Sequence, residues 1–335
     1  MKKFKLVMLA SLLVVLSACS PGGGTGDGNQ FITIATASTG GTYYPIGVGL
    51  GNLWSQELKE EGINASGQSS AGSIENIDLM KEGEAHFSIL QGLMTDQAYN
   101  GEGSFEGKAY EDLRTISMIW PNVEHFVLKD SEIETGTIAD IEGTSFSVGP
   151  QASGTEQSTL VIMEGLGLTK DHITPEYLGY DDTISAMRDG RLDGGSLPAG
   201  VPVAAITDMY ASNVGASVLE VSDEQFEQIT DISNAWYQYT IPAETYPNQT
   251  EDIETIAQPN ILVATIDLDE ETVYQLTKTL FENLDFMYDV HSSAKEMTLE
   301  TALDGLPAPL HAGAYKYFEE VGMDIPEELI PPEAK

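Results

Sequence analysis

A β-rich run, a helical stretch, a second β-rich run, a second helix and a third β-rich run follow one another twice along this chain. The first series takes 31–36 (FITIAT) as strand, 42–59 as helix and 63–70 as strand. It continues with 73–81 as a helix carrying apolar Ile74, Ile77 and Leu79, and 85–90 as strand. The second series takes 145–148, 173–178 and 192–197 as strands and 155–166 and 182–188 as helices. Alternation of this kind predicts parallel strands with helices packed on both faces of the sheet. The halves share local texture: Met80-Lys81-Glu82-Gly83 ends one helix, and Met187-Arg188-Asp189-Gly190 ends its counterpart 107 positions later. The expected fold class is α/β, with two similar lobes of mixed sheet flanked by helices. Strand-like 260–266 and helical 270–288 and 310–321 complete no third unit and are expected to return to the first lobe. That leaves two strand-like crossings, near 117–126 and near 235–241, which together form a two-strand hinge. Lobe 1 is then 31–120 plus 242–335, and lobe 2 is 121–241.

The N-terminus reads as an export signal. Lys2, Lys3 and Lys5 precede an apolar run from Leu6 to Leu16, too short to span a bilayer comfortably. Leu16-Ser17-Ala18-Cys19 resembles a bacterial lipobox, in which residues 1–18 are removed and Cys19 carries the lipid. Each buried methylene contributes roughly 0.8 kcal/mol, so two or three acyl chains hold a protein on a membrane where one does not. Cys19 is the chain's one cysteine, so no disulfide is available and the folded part depends on its core. The polar, Gly-rich segment from Ser20 to Gln30 is expected to be a tether, making 19–30 anchor and linker.

Cleavage leaves 317 of 335 residues, and loss of the three lysines takes the net charge from −38 to −41. Such a surface repels nucleic acid. It does not attract an anionic ligand from a distance either, so any anion site must be built locally. The remainder is expected to be monomeric and extracytoplasmic, held to the membrane through Cys19. Enzyme signatures are poor. There is no G-x-S-x-G elbow, GEGSFEGKA lacks the P-loop spacing, and Gly47, Gly49 and Gly51 lie inside a predicted helix. The five histidines are dispersed, with no H-E-x-x-H, and no metal or cofactor is expected. His125 and His311 read as structural hydrogen-bonding groups.

Three loop-to-helix junctions stand out. They are STGGTYYPIG (38–47), SAGSIENIDLM (70–80) and GPQASGTEQS (149–158). Gly40 and Gly41 permit a sharp turn and close approach to a ligand. Ser73 suits an N-cap, and Ser153 with Glu156 matches a capping box. Each junction sets free backbone N–H groups at the carboxyl end of a strand and the positive end of a helix, where carboxylates bind without a basic side chain. Glu156, if turned into a cleft, could instead hold a ligand ammonium, and Gln91 could add an amide contact. Tyr43 and Tyr44 could cover a ligand, although one of them is expected in the core.

These junctions are similar to those of the TAXI family of solute-binding proteins. The matching stretches run in order from Phe31 to Gly322: ATASTGGTYYPIG, AGSIENIDLMKEGEAHFSILQ, VGPQASGTE, LPAGVPVAAIT, TIPAETYP, VYQLTKTLFENLD and ETALDGLPAPLHAGAYKYFEEVG. The resemblance implies a two-lobed, type II periplasmic-binding-protein fold that closes on its ligand. It implies no enzymatic activity, a TRAP-type membrane permease as partner, and a glutamate-like amino acid or dicarboxylate as ligand. Carried onto this chain, the ligand site takes Gly41, Thr42, Tyr43, Ser73, Ile74, Gln91, Ser153, Gly154, Thr155, Glu156, Pro198 and Gly200. Two departures stand out: Trp120-Pro121-Asn122 where Tyr-Pro-Glu is usual, and Ala312 where a proline usually follows the histidine of PLH. The alternative reading is a surface lipoprotein that senses a ligand and signals to a receptor without transport.

Overall fold

The computed structural model describes residues 30–334 other than 213. The signal peptide, Cys19 and the tether up to residue 29 therefore lie outside the described residues. The first part of the chain forms β1 (Gln30–Ala35), α1 (Tyr43–Glu57), β2 (Ile63–Gln68), α2 (Ser73–Lys81), β3 (Phe87–Gln91), α3 (Gly92–Asn100) and the long β4 (Leu113–Val123). The second forms β5 (Phe126–Lys129), β6 (Ser145–Ser147), α4 (Gly154–Gly165), β7 (Thr174–Glu176), α5 (Tyr180–Arg188), β8 (Gly194–Ser196), α6 (Ala204–Ala211), β9 (Ala216–Leu219) and α7 (Asp223–Ile232). The last forms β10 (Tyr237–Ile241), the long β11 (Ile253–Thr265), α8 (Glu270–Glu282), α9 (Leu284–Val290) and α10 (Ala312–Glu320).

Two mixed sheets result, and they share one plan. In the first, β1 lies parallel between β2 and β3, and β11 joins β3 antiparallel with β4 on its far side. In the second, β6 lies parallel between β7 and β8, and β5 joins β8 antiparallel with β9 beyond. The repeated sequence pattern thus corresponds to repeated topology, three parallel strands followed by two antiparallel ones.

The lobes are joined where β4 and β11 run side by side. β4 ends at Val123 and β5 begins at Phe126, leaving Glu124 and His125 between the sheets. The return is completed along β11. Its Ile253 and Ala257 pack with Val127 and Ile206 of the second lobe, while Ile261 and Val263 pack with Ile34 and Leu50 of the first. The 235–241 segment, where the sequence pattern places the second crossing, enters the first sheet as β10, an edge strand on the start of β11. A short β-rich run carries no mark of which sheet will accept it, since pairing partners are long-range.

Close helix–strand packing explains the glycines of α1. A Cβ on Gly51 would stand 2.9 Å from the Cα of Ser66, and one on Gly67 would stand 2.6 Å from the backbone nitrogen of Val48. The expected helix 270–288 is broken in two at Asn283. This residue leaves helical geometry (φ −129°, ψ 35°) and its side-chain amide donates to the Thr279 carbonyl at 2.8 Å. Asparagine competes in this way for backbone groups and favours helix ends. The helix expected from Leu310 starts at Ala312, with His311 as its N-cap accepting from Gly313 N at 3.1 Å. Among the described residues no helix is long and apolar enough to cross a membrane.

Candidate ligand-binding cleft

The carboxyl ends of the parallel strands of both sheets face one another, and the loops that leave them enclose a cavity. Lobe 1 contributes Ala37, Ser38, Gly41, Thr42, Tyr43, Ala71, Gly72, Ser73 and Gln91. Lobe 2 contributes Pro150, Gly154, Thr155, Tyr180 and Pro198. Four helices, α1, α2, α4 and α5, begin at this wall. Their first-turn amides have no acceptor within their own helices, as at any helix start, and the helix dipoles place partial positive charge there. No ionisable acid or base lines the cavity other than the two tyrosines. The arrangement suits an anionic group held by N–H donors, the chemistry expected from the three junctions.

Local interactions fix each loop. Gly72, with φ +125°, caps α2 in a conformation that L side chains rarely adopt. Ser73 was expected to be this cap. It is the first helical residue instead, and its hydroxyl accepts from Gln91 N at 3.1 Å, tying α2 to the end of β3. Buried Asn76 donates to Thr36 O at 2.7 Å and to Ile89 O at 3.1 Å, clamping the ends of β1 and β3 beneath α2. In lobe 2 the Tyr180 hydroxyl donates to Pro198 O at 2.6 Å and lies 3.0 Å from the Thr155 hydroxyl, which joins three loops. Burial raises the pKa of Tyr43 and of Tyr180, so both rings stay neutral donors.

The lobes touch directly around the cavity. The Thr42 hydroxyl donates to Gly200 O at 3.2 Å and accepts from Gly200 N at 3.1 Å. Glu75 N donates to Ala152 O at 3.1 Å across the same cleft. The space between these loops is about 400 Å³, part of it open to solvent.

The structure brings together Gly41, Thr42, Tyr43, Ser73, Gln91, Gly154, Thr155 and Pro198 on one wall system. Ile74, Ser153, Glu156 and Gly200 stand outside the lining. Ile74 packs partly buried against the hydrophobic core. Ser153 caps α4, accepting from Glu156 N at 3.0 Å and donating to Pro150 O at 2.6 Å. The Glu156 carboxylate turns back to Ala152 N at 3.2 Å and to Lys170 at 3.3 Å, so its charge is met by lysine and the capping box is not closed. Gly200 acts through its backbone on Thr42 and leaves room for the Trp120 ring, whose Cδ1 would be 2.7 Å from a Cβ there. The sequence reading missed Ser38, Gly72, Pro150 and Tyr180, among others. Tyr180 opens α5 two residues before the expected helix start, and an earlier boundary would have exposed a fourth junction.

Below this wall, at the lobe crossing, lie Glu124 and His125, both fully buried. Burial raises the Glu124 pKa to about 7, although Trp236 Nε1 donates to it at 3.1 Å. Burial lowers the His125 pKa to about 4; its Nδ1 lies 2.9 Å from Val123 O and its Nε2 2.8 Å from the Tyr246 hydroxyl. Among the described residues no three metal-binding side chains gather in one place.

Comparison with known proteins places this architecture. Residues 34–322 match the sequence model of the NMT1-like family. Among solved structures, the fold is similar to PhnD1 from Prochlorococcus marinus in complex with methylphosphonate, with TM-score 0.50 and 15% identity over 87% of this chain and 97% of that one. It is also similar to a protein from Bordetella bronchiseptica RB50, with TM-score 0.51 and 13% identity over 90% and 85%. A more distant likeness is to the alkanesulfonate-binding protein SsuA from Xanthomonas axonopodis pv. citri bound to MOPS, with TM-score 0.46 and 13% identity over 87% and 90%. The two lobes and their strand plan are those of a type II periplasmic-binding-protein fold.

Proposed function

The chain belongs to the NMT1-like family, and from that premise we propose that it is an extracytoplasmic solute-binding protein. Its ligand is a small molecule bearing a carboxylate, a glutamate-like amino acid or a dicarboxylate, enclosed between the lobes and delivered to a TRAP-type permease. It acts by binding and closure, without turnover, and lipid on Cys19 holds it at the outer face of the membrane.

One observation carries this reading: four helix N-termini converge on one cavity between the lobes that is lined by no basic side chain. Helix starts bind anions through backbone N–H groups, and a carboxylate is matched without the lysine or arginine that a chain this acidic has in short supply. A second feature points to the rest of the ligand. The Gln91 side-chain oxygen is buried at the cavity and has no partner, so it accepts from a donor on the ligand. An unpaired buried acceptor costs about 1–3 kcal/mol until that donor arrives.

The test is a thermal-shift and calorimetric panel of amino acids and organic acids. A ligand at 100 times its Kd stabilises the folded state by about 2.7 kcal/mol. Failure of every carboxylate in a broad panel to stabilise the protein would sink the reading. Transport is tested separately, by solute uptake into vesicles that hold the permease with and without this protein. Replacing Cys19 by alanine tests the anchor, which predicts release of the protein from the membrane fraction.

A further inference from the structure

A second concavity lies on the side of the first sheet that faces away from the cleft. Pro121 and Pro259 pair across β4 and β11, one step from the Trp120–Asn260 pair. Side chains alternate faces along a strand. Asn260 meets the cleft residue Tyr43, whose hydroxyl donates to its Oδ1 at 2.5 Å, so the two prolines take the opposite face. There they line an open groove of about 720 Å³. Helix α3 reaches it with Asp96, and the segment entering β10 reaches it with Trp236 and Tyr237. Glu296 and Asp304 come from the chain that follows α9. Both of the last two sides close onto the same proline: a Cβ on Gly92 of α3 would stand 2.8 Å from Pro259 Cγ, and one on Gly305 would stand 3.3 Å from it.

The charge at this groove has one sign. Asp96, Glu296 and Asp304 stand at it, and no lysine, arginine or histidine lines it. Among the described residues none of the three is in an ion pair, although Lys295 precedes Glu296. Asp96 is half-buried, and its carboxylate accepts from Asn100 Nδ2 at 2.8 Å. Burial, and after it the Glu102 charge, raises its pKa. Glu296 and Asp304 both act on the Tyr237 ring, since after burial and Tyr239 their charges raise its pKa. Acidic side chains are common on a chain of net charge −38 and alone would mark nothing. Here they rim an apolar and aromatic hollow, whose volume falls within the roughly 300–1,000 Å³ of small-molecule sites.

We propose that this groove is a second binding site, for a free aliphatic amine whose ammonium groups meet Asp96, Glu296 and Asp304 and whose methylenes lie on Pro121, Pro259 and Tyr237. An alkyl-ammonium chain suits such a place, because it covers apolar surface with its stem while its charged end reaches a polar rim. Tyr237 is 40% exposed and offers an aromatic surface to the cation. Trp236 is held in place without a ligand, its Nε1 donating to Glu124 at 3.1 Å, so this side of the groove is preformed. The chain's own N-terminal segment does not supply the charge, since residues 19–30 contain no basic side chain. The site stands apart from the cleft and does not depend on which ligand the cleft takes.

The experiment is titration calorimetry with hexane-1,6-diamine and hexane-1,6-diol, which share a carbon chain and differ in charge. The wild type should bind the diamine at least tenfold more tightly than the diol. The triple variant Asp96→Asn, Glu296→Gln, Asp304→Asn should lose at least tenfold in diamine affinity. Tyr237→Ala, which leaves the charge unchanged, should lose at least threefold. A matched control neutralises three exposed carboxylates outside the groove, Glu60→Gln, Glu61→Gln and Glu327→Gln, and should keep diamine affinity within twofold. An equal loss in the two triple variants would mean that the diamine reads net charge alone, and overturns the proposal. Equal affinity for diamine and diol, no binding of the diamine, or full affinity in Tyr237→Ala overturns it as well.

Discussion

Gly154, at the start of α4, stands so close to Gln91, at the end of β3, that a Cβ on Gly154 would fall 2.5 Å from the Gln91 amide oxygen. The two residues belong to opposite lobes, so glycine at 154 is a condition of closure and not of either lobe's fold. Gly154→Ala is therefore expected to weaken ligand binding at least tenfold. Its ligand-free melting temperature should be unchanged or slightly higher, since alanine is the better helix former. Calorimetry and small-angle scattering check this together; tight binding with a compact liganded form would contradict it.

Thr42 and Gly200 form a reciprocal latch that exists only while the lobes are shut. In an open protein the Gly200 amide and carbonyl are solvated. Thr42→Val keeps the shape of the side chain but strands both groups on closure, at about 1–3 kcal/mol. Affinity should fall by roughly tenfold or more with little change in ligand-free stability. A variant that binds as tightly as the wild type would show that the latch carries no closing energy.

Glu124 and His125 set opposing pH dependences from adjacent positions. Glu124 is an acid raised from 4.5 to about 7, so the folded state binds its proton more tightly than the unfolded state does. Its contribution is greatest below pH 4.5 and falls as pH rises to 7, by up to about 3 kcal/mol. His125 is lowered from 6.5 to about 4, so its contribution is full above pH 6.5 and is lost as pH falls towards 4. Denaturant titrations of ligand-free protein from pH 4 to 8 read the difference between wild type and Glu124→Gln. The variant should gain on the wild type through pH 4.5–7 and hold that gain above it. Parallel profiles would mean that Glu124 is not perturbed.

Arg114, on β4 and only 4% exposed, meets the Glu333 carboxylate through two hydrogen bonds of 3.0 Å. The pair draws the Glu333 pKa down despite partial burial, and it ties the end of the described chain to the first sheet. Glu333→Gln leaves a buried guanidinium without its counter-charge and should cost about 1–2 kcal/mol, read as a lower urea midpoint with an unchanged slope. No change in midpoint would place the pair among surface contacts of no consequence.

Legibility differed by kind of residue. Ser73–Lys81 was readable as a helix to its last residue because the apolar period and a closing glycine agree there, although Gly72 and not Ser73 is its cap. Gly41, Thr42, Gly154 and Thr155 were readable as residues of the cavity wall because a strand-to-helix junction has a local signature. Glu156 shared that signature yet turns outward, because Lys170, 14 positions away in sequence, meets its charge. Tyr180 was missed for a boundary error of two residues, and the break at Asn283 because a side-chain bond to Thr279 overrode a continuous apolar pattern.

The sequence by itself determined that two α/β units of like plan would form, and that helix starts at strand ends would present free backbone amides. Both follow from local periodicity and backbone chemistry, which need no knowledge of distant neighbours. Only the tertiary structure decided that four such starts face one cavity, that β10 and β11 pair as the chain returns to the first sheet, and that Gln91, Asn122, Glu124 and Asn260 each keep a buried side-chain atom without a partner. Those outcomes depend on strand pairing across more than a hundred residues, such as Gln91 with Asn260 and Trp120 with Asn260. Local propensity does not encode pairings at that range.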